Sequence, residues 1–264
     1  MSLVQIFKMA RKSIQTNKIR SFLTMLGVII GVSSVIIAVG FAQGSTKSVT
    51  DSLSSLGTNL ININITGRGD SNRKVTYAQL KNFQEENSDV IGSIAPQSST
   101  NGTVKASNKN RITTILGTSP EYADINSVTV QSGRFLLDFD VDYSQKVAIV
   151  GTAVVNDIYG GSNPVGQKIK ILGQEFMVVG VLTETEKGAD STDDDRVIIP
   201  ISVATKLNNN AVIRTFSVKS TSADTVDAAI SKLDAFLLKI YKSSDYYRVT
   251  NMEQVLSTLN SITG

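Results

Sequence analysis

The stretch Phe22–Ala42, FLTMLGVIIGVSSVIIAVGFA, carries no charged residue. At about 1.5 Å rise per residue, a helix of that length crosses a hydrocarbon core of roughly 30 Å. Directly before it lie Lys8, Arg11, Lys12, Lys18 and Arg20, and residues 1–21 hold no Asp or Glu. Basic residues beside a spanning helix favour retention in the cytoplasm, so the N-terminus is expected inside and everything after Ala42 outside. A cleaved leader is the competing reading, since Gly40 and Ala42 would suit cleavage after Ala42. Apolar regions of leaders span about 7–15 residues, which favours a retained helix here.

The formal charge of +3 hides an asymmetry. Five of the 26 Lys and Arg precede Phe22, leaving 21 basic residues against all 23 acidic ones beyond. A nucleic-acid binder clusters its basic residues on the folded domain. Here the 21 beyond Phe22 are scattered and the basic excess sits at a lipid-facing tip, so membrane lipid is the expected partner and nucleic acid is not. There is no Cys and no His, which removes disulfides, thiolate metal sites, the commonest general base and the commonest zinc ligand. An external domain without disulfides is ordinary in a bacterial cell, and the cytoplasmic membrane of a bacterium is the expected location.

Residues 3–16 place Leu3, Ile6, Phe7, Ala10 and Ile14 at spacings of three and four, with Lys8, Arg11 and Lys12 off that stripe. This pattern predicts a basic amphipathic helix lying along the inner membrane surface, with a frayed basic tail as the plainer alternative. Within the apolar stretch Gly27 and Gly31 form one GxxxG pair, and Gly40 and Gly44 another near its outer end. Small residues four apart let a second helix approach, although glycine is common in membrane helices generally.

Beyond Ala42 the helix is expected to continue along Val49, Leu53 and Leu56 and to stop at Gly57. Asn59–Thr66 alternates as a half-buried strand, and residues 67–74 read as a loop. Thr76 and Gln79 offer a capping box for a helix over Tyr77–Glu86, and Val90–Ala95 reads as the next strand. From Ser98 to Arg134 the texture suggests short Thr- and Val-rich strands separated by polar turns. Lys146–Val150 is a strand followed by a short helix. Gln167–Leu172 and Glu175–Leu182 flank Gly173 as a hairpin. Thr183–Asp195 reads as an acidic loop, and Arg196–Pro200 and Ala211–Lys219 as strands. Asp224–Tyr241 is strongly helical along Val226, Ile230, Leu233, Leu237 and Ile240, and Tyr246–Thr250 reads as a last strand. An amphipathic helix is expected to open at Asn251 along Met252, Val255, Leu256, Leu259 and Ile262.

Four of these pieces resemble one family. NKIRSFLTMLGVIIGVSSVIIAVGFAQG at 17–44, LGTNLININ at 56–64, KVAIVG at 146–151 and NPVGQKIKILGQEFMVVGVL at 163–182 are similar to the permease subunits of MacB-like ABC transporters. That group is related to the cell-division and lipoprotein-releasing permeases. The resemblance implies a first membrane helix, a large extracytoplasmic α/β domain and three further membrane helices, with this sequence ending before the second. It also implies partners: an ABC ATPase subunit, a second permease copy (a homodimer or a paired permease), and an extracytoplasmic adaptor where the cell has an outer membrane. No cofactor is implied. The family's coupling helix lies later in such chains. Motion driven by ATP in the partner subunit would then reach the external domain through two stalks, at 40–57 and 251–264.

The remaining motifs have plainer readings. GSNPVGQK at 161–168 approaches a phosphate-binding loop, but its lysine is displaced and the hydroxyl for magnesium is missing, so a turn is the better account. Asp190 and Asp193–Asp195 lack the alternation of a calcium loop and read as a solvated loop. Asp138, Asp140 and Asp142 do alternate, which on a strand would face one way, though a surface loop is the simpler reading. GxSxG does not occur, and the single SxxK, at 71–74, falls in the expected loop at 67–74, so no catalytic residue is expected. Tyr122, Phe135, Phe139 and Tyr143 suit either a partner surface or core packing.

The expected fold is α+β, with one N-terminal transmembrane helix before a mixed α/β extracytoplasmic domain bearing a β-rich insert. The expected divisions are a cytoplasmic helix at 1–17, a membrane helix at 18–44 and a stalk at 45–57. The external domain spans 58–250, with 58–100 and 211–250 forming one α/β unit around an insert at 101–210, and a second stalk occupies 251–264. The expected function is the non-catalytic permease part of an exporter. The alternative is a single-pass membrane protein with a free-standing sensor or binding domain.

Overall fold

The computed structural model describes residues 5–6, 8–9, 16–55, 59–66, 74–185, 194–208, 211–251 and 254. The chain divides into two compact units. One comprises Met1–Leu53 with Ser257–Gly264, and the other Ser54–Leu256.

In the first unit a single helix, α1 (Lys18–Ser55), contains the whole apolar stretch. Its segment Lys18–Ser45 is long and apolar enough to cross a membrane, and none of that segment's most apolar window is buried in protein. Two hydroxyls inside it are satisfied within the helix. Thr24 Oγ1 donates to the Arg20 carbonyl at 3.0 Å, and Ser34 Oγ to the Gly31 carbonyl at 2.8 Å. Such back-bonding is what a hydroxyl needs where no water is available. Of the expected amphipathic helix at 3–16, residues 5, 6, 8 and 9 are helical and the rest lie outside the described residues, apart from helical Thr16. Gly57 and the expected helix beyond Asn251, except helical Gln254, also lie outside them.

The second unit begins with β1 (Leu60–Ile65) and α2 (Tyr77–Glu86). The expected capping box is present at α2: Thr76 Oγ1 accepts from the Gln79 amide at 3.2 Å, and the Thr76 amide donates to Gln79 Oε1 at 2.9 Å. Replacing Thr76 by Ala is expected to cost about 1 kcal/mol, read as a lower thermal midpoint of the detergent-purified chain.

Next come β2 (Ile91–Ala106) and β3 (Lys109–Thr118). The sequence suggested short strands from Ser98 onward, but β2 is one strand of 16 residues. In the run SSTNGT at 98–103 successive residues alternate faces: Ser99, Asn101 and Thr103 are exposed, whereas Ser98 and Thr100 are half-buried and Gly102 is buried. At Gly102 a Cβ would stand 2.6 Å from Ile115 Cδ1 and from Leu172 Cδ2, so those side-chain ends would have to shift to admit one. After β3 follow α3 (Glu121–Ile125), β4 (Val130–Gly133), α4 (Asp138–Asp142), β5 (Val147–Val150) and α5 (Thr152–Tyr159). The hairpin of β6 (Lys168–Ile171) and β7 (Gln174–Leu182) turns at Leu172 and Gly173, with φ of 49° and 83°. Two positive φ values match a type I′ turn, where glycine is at ease and leucine is not. The chain closes with β8 (Arg196–Pro200), α6 (Ile201–Leu207), β9 (Thr215–Ser220), α7 (Val226–Tyr241) and β10 (Tyr247–Asn251).

Two cores result. In one, β10, β1, β9 and the first half of β2 form an antiparallel sheet. Its inner residues Ile61, Ile63, Ile94, Phe216 and Val218 pack with Leu80 of α2 and with Ala229, Leu233 and Leu237 of α7. Tyr247 Oη donates to Asp234 Oδ1 at 2.8 Å, pinning β10 to α7, and burial with this bond pushes the tyrosine pKa up to about 12.

In the other core the strands close on themselves. β2 pairs β3, β3 pairs β8, β8 pairs β5, β5 pairs β7, β7 pairs β6, and β6 returns to β2. This is a six-stranded barrel, which leaves few free edges. Phe176, Ile169, Ile171, Val178, Val197 and Ile199 belong to its core. Because β2 belongs to both the open sheet and the barrel, the two cores share one backbone element.

Candidate functional site

Two regions bear on function, and each is described separately. On α1, Gly27, Gly31, Gly40 and Gly44 each have open space where a Cβ would stand. At about 100° per residue, the first pair and the second point to nearly opposite sides of the helix. The basic residues Lys18 and Arg20 occupy the first turn of α1 and are exposed, as is Lys8, whereas Arg11 and Lys12 lie outside the described residues. Cations at a helix N-terminus oppose its dipole. Helix stability therefore does not explain their position.

In the second unit several acidic residues have structural partners. Asp138, Asp140 and Asp142 lie on α4, a helical turn, so the alternation seen in the sequence does not bring them to one face. Asp140 is buried and accepts from Arg134 Nη1 and Nη2 at 2.6 and 3.1 Å, and from the Leu137 amide at 2.9 Å. Asp138 lies 3.8 Å from Lys81.

The reading of Asp193–Asp195 as solvated needs correction. Asp194 is fully buried and accepts from the Thr185 amide at 3.0 Å and from Thr185 Oγ1 at 2.7 Å. Asp195 takes Arg111 through Nε at 3.0 Å and Nη2 at 2.9 Å, and Thr113 Oγ1 at 2.6 Å. Arg111 also pairs with Asp157 on α5. The clamp thus ties β3, α5 and the approach to β8. Asp190 and Asp193 lie outside the described residues. Among the described residues no three acidic side chains converge as a cation site.

Burial works against the charge of Asp195, but the bonds from Arg111 and Thr113 and the guanidinium charge outweigh it and hold its carboxyl below the ordinary range. A depressed folded-state pKa contributes stability that is present above the unfolded value, about 3.9, and is lost as pH falls through the folded value. Arg111→Leu is therefore expected to lower the thermal midpoint at neutral pH. Below about pH 4 that difference should shrink, which melting curves across the acid range would show.

The segment 161–168 is a turn. Its Gly166 amide donates to the Val178 carbonyl at 2.8 Å, and the Val165 amide to Asn163 Oδ1 at 3.1 Å. Amides already committed in this way cannot cradle a phosphate. The four aromatic candidates separate. Tyr122 is buried and Phe135 half-buried, whereas Phe139 and Tyr143 are 57% and 68% exposed with ring centroids 4.6 Å apart. The clamp of Arg111 had no signal in the sequence, since Arg111 meets acids 46 and 84 residues away, whereas Arg134 meets Asp140 six residues on.

A family model described as the MacB-like periplasmic core domain matches residues 21–236. The macrolide export ATP-binding/permease protein MacB of Aggregatibacter actinomycetemcomitans is 27% identical over 268 residues, covering 99% of this chain and 41% of that protein. MacB of Bdellovibrio bacteriovorus is 28% identical over 263 residues, covering 95% of this chain and 40% of its own length. The chain therefore spans about two-fifths of these relatives. Among solved structures, the periplasmic region of MacB from Actinobacillus actinomycetemcomitans superposes with a TM-score of 0.63 at 20% identity, over 79% of this chain and 95% of that one. The extracellular domain of the noncanonic ABC-type transporter YknZ from Gram-positive bacteria gives 0.61 at 18% identity, over 73% and 100%. Both likenesses concern the fold.

Proposed function

The chain belongs to the MacB-like periplasmic core domain family, and from that premise we propose that it is the membrane-anchored permease part of an ABC-type exporter, working with a separate ATPase subunit. The observation that carries this reading is α1, whose apolar segment Lys18–Ser45 is unburied and precedes a domain with the MacB periplasmic fold. An unburied helix of that composition needs lipid or other helices around it.

In this reading α1 crosses the cytoplasmic membrane with its N-terminus inside. Lys8, Arg11, Lys12, Lys18 and Arg20 contact inner-leaflet phosphates, which accounts for cations placed against the helix dipole. The opposed faces of Gly27 with Gly31 and of Gly40 with Gly44 suit two helix neighbours, one of them in a second permease copy. Residues 45–57 and 251–264 act as stalks that carry motion to the external domain at 58–250, where an adaptor would dock in a cell with an outer membrane. The domain itself is non-catalytic.

The test is purification of the native protein from membranes under mild detergent, followed by quantitation of co-purifying subunits. The reading expects an ABC ATPase subunit in near-stoichiometric amount, stabilised by non-hydrolysable ATP. Recovery without any ATPase would favour the single-pass sensor or binding protein.

A further inference from the structure

The outer face of the barrel carries a group of lysines that the transporter reading does not use. Lys105 on β2 and Lys170 on β6 are direct partners across an antiparallel pairing. Their Cβ atoms are then about 4.5–5.5 Å apart, a register in which like charges destabilise a sheet. Lys168 stands two residues along β6, on the same face. Glu175 on β7 lies opposite Lys170 in register, but Lys168 Nζ holds its carboxylate at 3.1 Å. Among the described residues neither Lys105 nor Lys170 reaches an acid within ion-pair distance. Beside them the β2–β3 hairpin turns through Ser107, at a φ of 53°, and Lys109 follows. A groove of about 340 Å³ is lined by Lys105, Ser107, Lys168, Lys170 and Glu175.

We propose that this groove binds a phosphate-bearing anion. A compact oxyanion between Lys105 and Lys170 replaces one repulsion with two attractions. Among the described residues no arginine lines the groove, so the planar fork that suits a carboxylate is missing there, whereas lysine serves phosphate as a point charge. Glu175 does not bar the anion, because Lys168 neutralises it. Two sources share this chemistry: the phosphodiester of a lipid headgroup, and a soluble phosphate compound. The proposal stands independently of the transporter assignment.

The test is lysine footprinting of the whole chain with an amine-reactive label read by mass spectrometry. Sodium tripolyphosphate is added to the detergent-purified chain, with citrate at equal ionic strength as the carboxylate control. In parallel, lipid discs of phosphatidylglycerol are compared with discs of phosphatidylcholine. Labelling of Lys105 and Lys170 is expected to fall about threefold or more, while Lys239 and Lys242 are unchanged. Protection by tripolyphosphate assigns the soluble source, and protection confined to phosphatidylglycerol discs assigns the headgroup. Lys170→Gln, at an exposed position, should abolish the protection of Lys105. No protection in any arm, equal protection by citrate, uniform slowing at every lysine, or protection of Lys105 that survives K170Q would overturn the proposal.

Discussion

Replacing both Ile29 and Val32 with Asp is expected to release the chain from the membrane fraction. An aspartate at the centre of a spanning helix costs about 2.5–3.5 kcal/mol, so the pair costs roughly twice that. Both positions are exposed on α1, at 60% and 54%, so in a helix that merely stood in water the same change would be harmless or helpful. Alkaline extraction of membranes reads the difference. Wild type should stay with the lipid, and the I29D/V32D chain should appear in the soluble or aggregated fraction. Ile112→Asp is the control: Ile112 is 74% exposed on the barrel, and its change should move neither partition nor stability by more than about 0.5 kcal/mol.

Phe176→Ala should be the most damaging single truncation in the barrel. Its ring is fully buried on β7 opposite Ile169, and removing a buried phenylalanine costs about 3–5 kcal/mol. For a domain of this size that lowers the thermal midpoint by roughly 10 °C. Met177→Ala, at the exposed neighbouring position, should change little. Phe216→Ala in the sheet core is expected to lower the same single transition, because β2 runs through both cores and neither can unfold alone. Two separated transitions in either variant would show that the shared strand does not couple them.

Local chemistry made much of this fold readable. Thr76 and Gln79 announce α2 because a capping box needs only residues three apart. Gly173 announces the β6–β7 hairpin because the turn demands positive φ. The stripe Val226, Leu233 and Leu237 announces α7, and all three are buried. The long apolar helix is the plainest signal of all, since nothing but composition is required to see it.

Other features depend on pairings distant in sequence. Barrel closure rests on β6 meeting β2, where Val104 faces Ile171 and Lys105 faces Lys170. Those partners lie more than sixty residues apart and share no pattern. The 98–103 run reads as turns because its inward positions hold Ser98, Thr100 and Gly102 rather than apolar side chains, so the alternation that marks a strand is missing. Asp194 looked solvated for a similar reason: charge is visible in a sequence, whereas the Thr185 groups that satisfy it are not marked as its partners. The aromatic set likewise split, since adjacency in sequence does not tell a buried Tyr122 from an exposed Tyr143.

The account turns on the barrel and its sheet standing outside a membrane that α1 crosses. The absence of cysteine makes this directly measurable, because each introduced thiol is the only one. Ser13→Cys and Asn163→Cys, expressed separately in intact cells, are exposed to a membrane-impermeant maleimide before and after permeabilisation. The account predicts immediate labelling at position 163, on an exposed turn, and labelling at position 13 only after permeabilisation. Protection of position 163 in intact cells, or equal labelling of both, would contradict it.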